Sequence, residues 1–457
     1  MQLGISKSVS KKQKESALIM RKQTKIAAVV SAAALLALGA SMTSFAASKG
    51  TWMMVDGEWY CYDKNGDAYT NTFCSSNGKE YYVGDDGELV RSAWVEDGSD
   101  KYFVNSSGAK ITNDWRLTAP YDDDSADEEW YYFKSNGKRA EGEKITYKGK
   151  TYYFDTDGKM LTGWVTYDSN AVDEANDFVD GKTFYCDETG ARLEKNWVYS
   201  VEPGVEDDDA DADEYWYYFK SSGKAQIGKG TNIKGQTYLF DNEGRMQTGW
   251  VALTTSTSSN AKEYLEIGGE DSTAKLSDYT DVYFCGDEDD GHAKKNKWAK
   301  TWIPKDEDEE EGDQKWFWFD KNGKLYRTNM DVLATASNAY EYEFKDGVVQ
   351  SKNKGLVNVT KKKVNSKDYW FDQEGRMLSN FYLVDGEMYY FGGSNDGSMK
   401  TGSQSVRDDN GDTYKFYFGT KNSTSENKGV GITGNKSNKL YYKGLLLTAC
   451  LLYTSDA

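Results

Sequence analysis

The sequence has little proline, one histidine and an odd number of cysteines. Pro occurs three times in 457 residues, while Gly occurs 44 times. Apolar residues make up only 38% of the chain, too few for one large aliphatic core, yet aromatic residues reach 14%. Such a composition suits many short strands joined by Gly-bearing turns, each with a small aromatic contact. His292 stands alone, and no C-x-x-C pair exists, which argues against His-based catalytic triads and zinc sites of the usual ligand sets. Cys61, Cys74, Cys186, Cys285 and Cys450 fit no disulfide framework. Cys61, Cys186 and Cys285 take aromatic positions of a repeated pattern, so they read as small apolar fillers. A Cys61–Cys74 bridge is open but unsupported. No nucleophile-elbow, Walker or dinucleotide-binding glycine pattern occurs in a strand-to-helix setting.

Acidic residues are not scarce. The formal charge is −18, and nearly all the basic excess lies in the first 47 residues. A strongly acidic surface disfavours nucleic acid and anionic membranes as partners. Residues 1–46 read as a signal peptide: a basic segment from Lys11 to Lys25, an apolar run from Ile26 to Gly39, and Ser44-Phe45-Ala46 as the cleavage site. That run is shorter than the roughly 20 residues a membrane span needs. No other apolar run is long enough, so no membrane span is expected in the mature chain.

From residue 50 onward one unit recurs. Its clearest copy is Y-K-G-K-T-Y-Y-F-D-T-D-G-K-M-L-T-G-W, Tyr147 to Trp164, repeated as Q-T-Y-L-F-D-N-E-G-R-M-Q-T-G-W, Gln236 to Trp250. It reads as a β-hairpin. Thr151–Phe154 forms the first strand, Asp155–Gly158 turns the chain, and Lys159–Leu161 returns as the second strand. Turn glycines mark the units: Gly66, Gly87, Gly108, Gly137, Gly158, Gly190, Gly223, Gly244, Gly291, Gly323, Gly347, Gly375 and Gly397. The base spacing is 21 residues with insertions. A longer block lies over it. Trp115, Trp197 and Trp298 are each followed by an acidic insertion (Asp122–Glu129, Glu206–Glu214, Asp306–Asp313) and then by a second aromatic run opening on Trp130, Trp216 or Trp316. These insertions read as solvated loops between hairpins. After Gly323 the pattern decays. Ser351–Lys363 is a basic patch expected to be an exposed strand, and Tyr389–Phe391 and Tyr414–Phe418 are expected in degenerate hairpins. His292 takes the slot after Gly291 that Ala109 takes after Gly108. Asp63–Asp67 has oxygens at calcium-loop spacing, but Cys74 stands where such a loop needs a bidentate Glu, so it reads as a turn and no metal is expected.

In Trp130-Tyr131-Tyr132-Phe133 alternate residues face opposite ways. One pair must pack the repeat; the other remains near a neighbouring Trp. Aromatic faces can simply form core, or can stack on sugar C–H faces and hold quaternary ammonium groups.

The sequence Y-Y-F-D-T-D-G-K-M-L-T-G-W is similar to the cell-wall-binding repeat family, which includes choline-binding and glucan-binding repeats and the repeats of large clostridial toxins. The likeness spans roughly residues 50–445. It implies an all-β, elongated β-hairpin repeat solenoid with aromatic ligand sites between successive hairpins. Carried over, the candidate ligand residues are Trp94, Trp115, Trp130, Tyr132, Trp164, Trp197, Trp216, Tyr218, Trp250, Trp298, Trp316 and Trp318. The best unit has Thr-Tyr-Tyr-Phe where choline-binding units have Trp-Tyr-Tyr, which places a carbohydrate polymer ahead of choline. The resulting expectation is a secreted, non-catalytic repeat protein that anchors to polysaccharide at the cell wall or surface of a Gram-positive bacterium, needing no cofactor. The alternatives are the targeting half of a truncated cell-wall hydrolase, or a toxin- or adhesin-like array on host glycans. Repeats are expected over 47–445. Residues 446–457 form an atypical tail, read as a truncation or read-through artefact.

Overall fold

The computed structural model describes residues 50–448, apart from 170, 206–210, 256–260, 269–273, 288, 305–313, 329–335 and 424–425. The signal segment, Cys450 and most of the tail lie outside the described residues. The fold is all-β. Among the described residues the only helical element is the three-residue turn Leu276–Asp278, and no helix is long and apolar enough to cross a membrane.

The chain divides into two units, 1–111 and 112–457. The described part of the first holds three antiparallel hairpins: Thr51–Val55 with Glu58–Tyr62, Thr72–Ser76 with Lys79–Val83, and Ala93–Asp97 with Asp100–Val104. The second opens with three more hairpin pairs. These are Asp114–Thr118 with Glu129–Phe133, Glu143–Tyr147 with Lys150–Phe154, and Gly163–Asp168 with Thr183–Cys186. It then continues through further hairpins to a six-stranded and a five-stranded sheet near the C-terminus.

The hairpin is displaced by one strand from the sequence expectation. Lys150–Phe154 is the second strand, not the first; its partner is Glu143–Tyr147. The tight loop is Lys148-Gly149, with φ of 47° and 79°. Two successive positive φ values give the turn whose twist matches that of the flanking strands. Asp56-Gly57, Asn77-Gly78, Lys234-Gly235 and Asp385-Gly386 share this geometry. The Asp155–Gly158 turn does something else. The segment after it makes a single bridge to its own strand, Phe154 with Met160, and then bonds backwards to the preceding hairpin. The N–H of Met160 donates to the Trp130 carbonyl at 2.9 Å.

That backward bond is the repeat's stacking device. In many repeats the residue two beyond the turn glycine donates to the second residue of a preceding hairpin's second strand. Lys110 bonds Glu80, Arg192 bonds Thr151, Met246 bonds Trp216, Met377 bonds Trp316 and Met399 bonds Asp368, at 2.8–2.9 Å. Hairpins this small are not stable singly, so stacking supplies the core. Several turns are held by the side chain of their own first residue. The Asp241 carboxylate accepts the N–H groups of Glu243 and Arg245, and Asp372 those of Glu374 and Arg376. Asp63 does the same for Asn65 and Asp67, which commits its oxygens to the turn. Four cysteines, Cys61, Cys74, Cys186 and Cys285, are buried and unbridged.

Two turn markers need correcting. Gly347 lies in a two-residue loop with Asp346, not in a repeat turn. Gly429, absent from the markers, is a repeat turn: Gly431 two residues on donates to the Met388 carbonyl. The basic strand is also not simply exposed. Val357–Val364 pairs with both Ser337–Lys345 and Lys367–Phe371, burying Val359 and Val364 while Lys361 and Lys363 point out. At the C-terminus Leu445–Leu446 forms a short strand against Lys439–Tyr442.

Gly158 has φ of 75°, and a Cβ there would meet the Arg139 side chain at 2.6 Å and the Ala140 carbonyl at 2.9 Å. Gly158→Val is expected to cost about 1–3 kcal/mol for the backbone conformation alone, plus displacement of the preceding turn. Thermal melting of the mature chain checks this; an unchanged transition would disprove the turn assignment.

Candidate functional site

In several hairpins a Trp near the start of the first strand is the hub of a ring cluster. Trp94 pairs across its hairpin with Phe103, Trp115 with Tyr132, Trp164 with Tyr185, Trp197 with Tyr218, Trp250 with Phe284 and Trp298 with Trp318. What stands two residues before that partner decides the kind of cluster. In three hairpins it is a further Trp: Trp130, Trp216 or Trp316.

These three form equivalent half-open boxes. At the first, Trp115 lies 6.4 Å from Trp130, with planes at 82°, and 4.9 Å from Tyr152 of the next hairpin. At the second, Trp197 lies 6.2 Å from Trp216, at 87°, and 4.8 Å from Tyr238. At the third, Trp298 lies 6.4 Å from Trp316, also at 87°, and 4.9 Å from Tyr369. Phe154, Phe240 and Phe371 close the floors at 5.6–5.7 Å from the hub. Met160, Met246 and Met377 are the residues that bond back to the carbonyls of Trp130, Trp216 and Trp316. A polarizable thioether is thereby built in next to each box. Trp130 and Trp216 keep 37% of their surface exposed; Tyr132 and Trp318 are buried walls, and Tyr218 is half-buried.

The other two hubs of the second unit are filled. Trp164 and Trp250 retain 8% and 2% exposure. Their second strands carry Thr183 and Val282 where the boxes carry Trp, and each hairpin has an extra strand, Ala171–Glu174 or Lys262–Glu266. The chain after that strand folds over the hub. Ala175 donates to the Trp164 carbonyl, and Ala175 and Phe178 join the apolar cluster that contains this ring. Ile267 donates to the Trp250 carbonyl, and Ile267 and Leu276 pack on that ring. Both indole N–H groups are satisfied by carbonyls, Val201 at 2.9 Å and Trp302 at 2.7 Å. These insertions, read from sequence only as spacing irregularities, supply the apolar atoms that a ligand would otherwise supply. Trp164 and Trp250 are core, not platforms. Trp94 is half-buried and stacks edge-on against Phe103 at 5.4 Å, but Lys101 stands where a second Trp would complete a box. Trp52 and Trp59, not among the sequence candidates, repeat the box spacing in the first hairpin; Trp52 is buried against Tyr81. Their spacing, Trp59 two before Cys61, was the available signal.

A carboxylate acts on the Tyr wall of each box, opposed at Tyr152 by Lys148. The strands carrying each Trp pair are joined by the acidic segments, and the carboxylates of Asp187, Asp290 and Asp396 raise the hydroxyl pKa values of Tyr152, Tyr238 and Tyr369, adding to the larger effect of burial. His292 lies edge-on to Tyr238 at 6.4 Å and is paired with Asp290.

A model of the choline-binding repeat matches residues 125–164, spanning Trp130 to Trp164, and a model of the putative cell wall binding repeat matches 211–225, which contains Trp216. Glucosyltransferase-S of Streptococcus mutans serotype c is 32% identical over 198 residues, 43% of this chain and 11% of that protein. A putative endo-beta-N-acetylglucosaminidase of Streptococcus pneumoniae serotype 4 is 27% identical over 135 residues, 30% of this chain and 15% of that protein. The chain thus spans well under a quarter of the length of these relatives. Among solved structures, CbpJ of Streptococcus pneumoniae is 18% identical at a TM-score of 0.31, over 82% of this chain and 99% of that one.

Proposed function

The chain belongs to the cell-wall-binding repeat family, and we propose that it is a secreted, non-catalytic module that docks on choline-bearing polymer of a Gram-positive cell wall through its three aromatic boxes. The observation that carries this is the recurrence of two nearly perpendicular Trp rings closed by a Tyr from the next hairpin, three times and in the same order. Ring faces carry negative charge density, so three of them around one space suit a desolvated cation without hydrogen-bond donors. The acidic segments belong to the same three hairpins and favour a cationic ligand over a neutral one. This moves choline ahead of the neutral glycan favoured by the Thr-Tyr-Tyr-Phe unit, because that unit supplies only the third wall, Tyr152, while Trp130 comes from the hairpin before it.

The array supplies binding. The catalytic activities named for the relatives belong to those larger proteins, and a role as the targeting part of such an enzyme is compatible with the same boxes.

The test is a titration of the mature chain, followed by Trp fluorescence, with choline chloride and with its uncharged isostere 3,3-dimethylbutan-1-ol. A cation–π contribution of about 1–2 kcal/mol makes choline bind roughly tenfold or more tightly. Equal affinities would overturn the cationic-ligand reading and leave shape alone as the basis of recognition.

A further inference from the structure

The second hairpin rebuilds a box around a cation of its own. Its hub is Phe73, which pairs across the hairpin with Tyr82. Tyr102 of the next hairpin lies 5.1 Å from Phe73 and takes the place that Tyr152 has beside Trp115. Val104 joins this cluster at the position that Phe154 has in the first box. Two residues differ in kind. Glu80, two before Tyr82, stands where the boxes carry Trp130, Trp216 and Trp316. Lys110, two beyond the turn glycine Gly108, stands where they carry Met160, Met246 and Met377. Its N–H donates to the Glu80 carbonyl as that of Met160 donates to the Trp130 carbonyl.

The Lys110 side chain runs into this cluster. Its Nζ lies 4.7 Å from the centre of the Phe73 ring and 5.2 Å from that of Tyr102, both within cation–π range. The Glu80 carboxylate pairs with the same ammonium. The Lys110 side chain keeps only 9% exposure, and Phe73 and Tyr102 are buried beside it. The ammonium thus fills the space between hub and Tyr wall, and the residue in the second Trp position neutralises it. A free cation would have to displace a tethered one, which competes at high effective concentration. Lys144 and Lys229, which also lie over Tyr rings, are a different case. They replace the hub ring itself, pairing with Tyr153 and Leu239.

We propose that the Phe73 cluster is a further cation site whose ligand is the chain's own Lys110, closed to quaternary ammonium groups of the polymer and opened to them by removal of that lysine. What the site excludes rests on the choline reading of the three boxes; that Lys110 occupies it does not. The first unit thereby holds a site that is filled without polymer, and Lys110 is the residue that keeps it out of the binding array.

Isothermal titration of the mature chain with choline chloride counts the sites. The unmodified chain is expected to bind three equivalents, and Lys110→Met, which copies the boxes, one more. Glu80→Trp supplies the missing ring but keeps the lysine, and is expected to stay at three. Circular dichroism melts confirm that each variant is folded. A second measurement needs no choline. In the chain isotopically labelled at lysine Cε, the Lys110 resonance is identified by its absence from Lys110→Met. It is expected upfield of the exposed lysines, through the ring currents of Phe73 and Tyr102, and is expected to move back towards them in Phe73→Leu. A Lys110 resonance among those of the exposed lysines would overturn the occupancy. A folded Lys110→Met that binds no more choline than the unmodified chain, or a gain through Glu80→Trp alone, would overturn the closed site with the choline reading intact. If choline binds neither protein and the upfield shift is present, the choline reading fails and the occupied site stands.

Discussion

Trp250→Ala is expected to lower the stability of the stacked hairpins around it by about 3–5 kcal/mol, the range for removing a large buried aromatic side chain. The ring is almost fully buried between Phe284 at 5.1 Å and Phe317 at 4.9 Å, in a cluster closed by Ile267 and Leu276. Truncation removes these contacts and leaves the Trp302 carbonyl without its 2.7 Å donor. Repeat arrays gain stability mainly from neighbouring units, so the loss should be local. Amide hydrogen exchange should show lost protection over roughly residues 236–325, with distant hairpins unaffected. Choline stoichiometry of the folded array should not change, because Trp250 contributes to none of the three boxes. Loss of a choline site with undiminished protection of Trp250's neighbours would contradict the assignment of this Trp to the core. The same reasoning applies to Trp164, with a smaller expected effect because it is less completely covered.

That two Trp residues from the best-preserved units are core, while those in worn units line open boxes, marks the limit of the sequence reading. The all-β class and the hairpin repeats were legible, because Gly spacing and aromatic runs are properties of the local chain. Hairpin pairing was assigned one strand late. The four-residue Asp-x-x-Gly turn is the more conspicuous signal, yet Lys148-Gly149, with two positive φ values, is the turn that pairs strands. The Asp155 turn directs the chain back to the previous unit, a contact set by stacking and not by any local pattern. The fate of a Trp is likewise non-local. Gly163-Trp164 and Asp114-Trp115 look alike as hubs; the outcome depends on Thr183 against Trp130 and on whether the insertion carries apolar residues such as Phe178 or acidic ones such as Asp123. The acidic insertions were legible from sequence as solvated loops, whereas the apolar ones were read only as departures from a 21-residue spacing. Their composition, apolar in one class and acidic in the other, was the signal that separates plugged hubs from open ones.

The largest functional effect is expected from losing two boxes together. Trp130→Ala or Trp216→Ala alone should weaken retention on choline-bearing walls only a few-fold at high wall concentration, because a linked second site keeps the chain close to the polymer. The double variant should weaken it by a factor of 10² or more, since linked sites multiply and avidity can exceed a single affinity by roughly 10²–10⁴. Both residues are more than one-third exposed, so truncation leaves no buried cavity and melting should shift little. This contrast with Trp250→Ala is what makes the pair informative. Trp250→Ala loses stability with its sites intact, whereas the double variant loses its sites with stability intact. Each Trp contacts its hub edge-on at 6.2–6.4 Å, so the hubs Trp115 and Trp197 keep their Tyr and Phe neighbours after truncation and the hairpins still stack. Raising ionic strength should weaken the retention of the unmodified chain only modestly, because ring contacts survive where exposed acidic segments are screened. Wall pull-down and thermal melting on the same samples separate the cases. Retention that falls only in step with unfolding, or that survives in the double variant, would show that these rings are scaffold and that the polymer is held elsewhere.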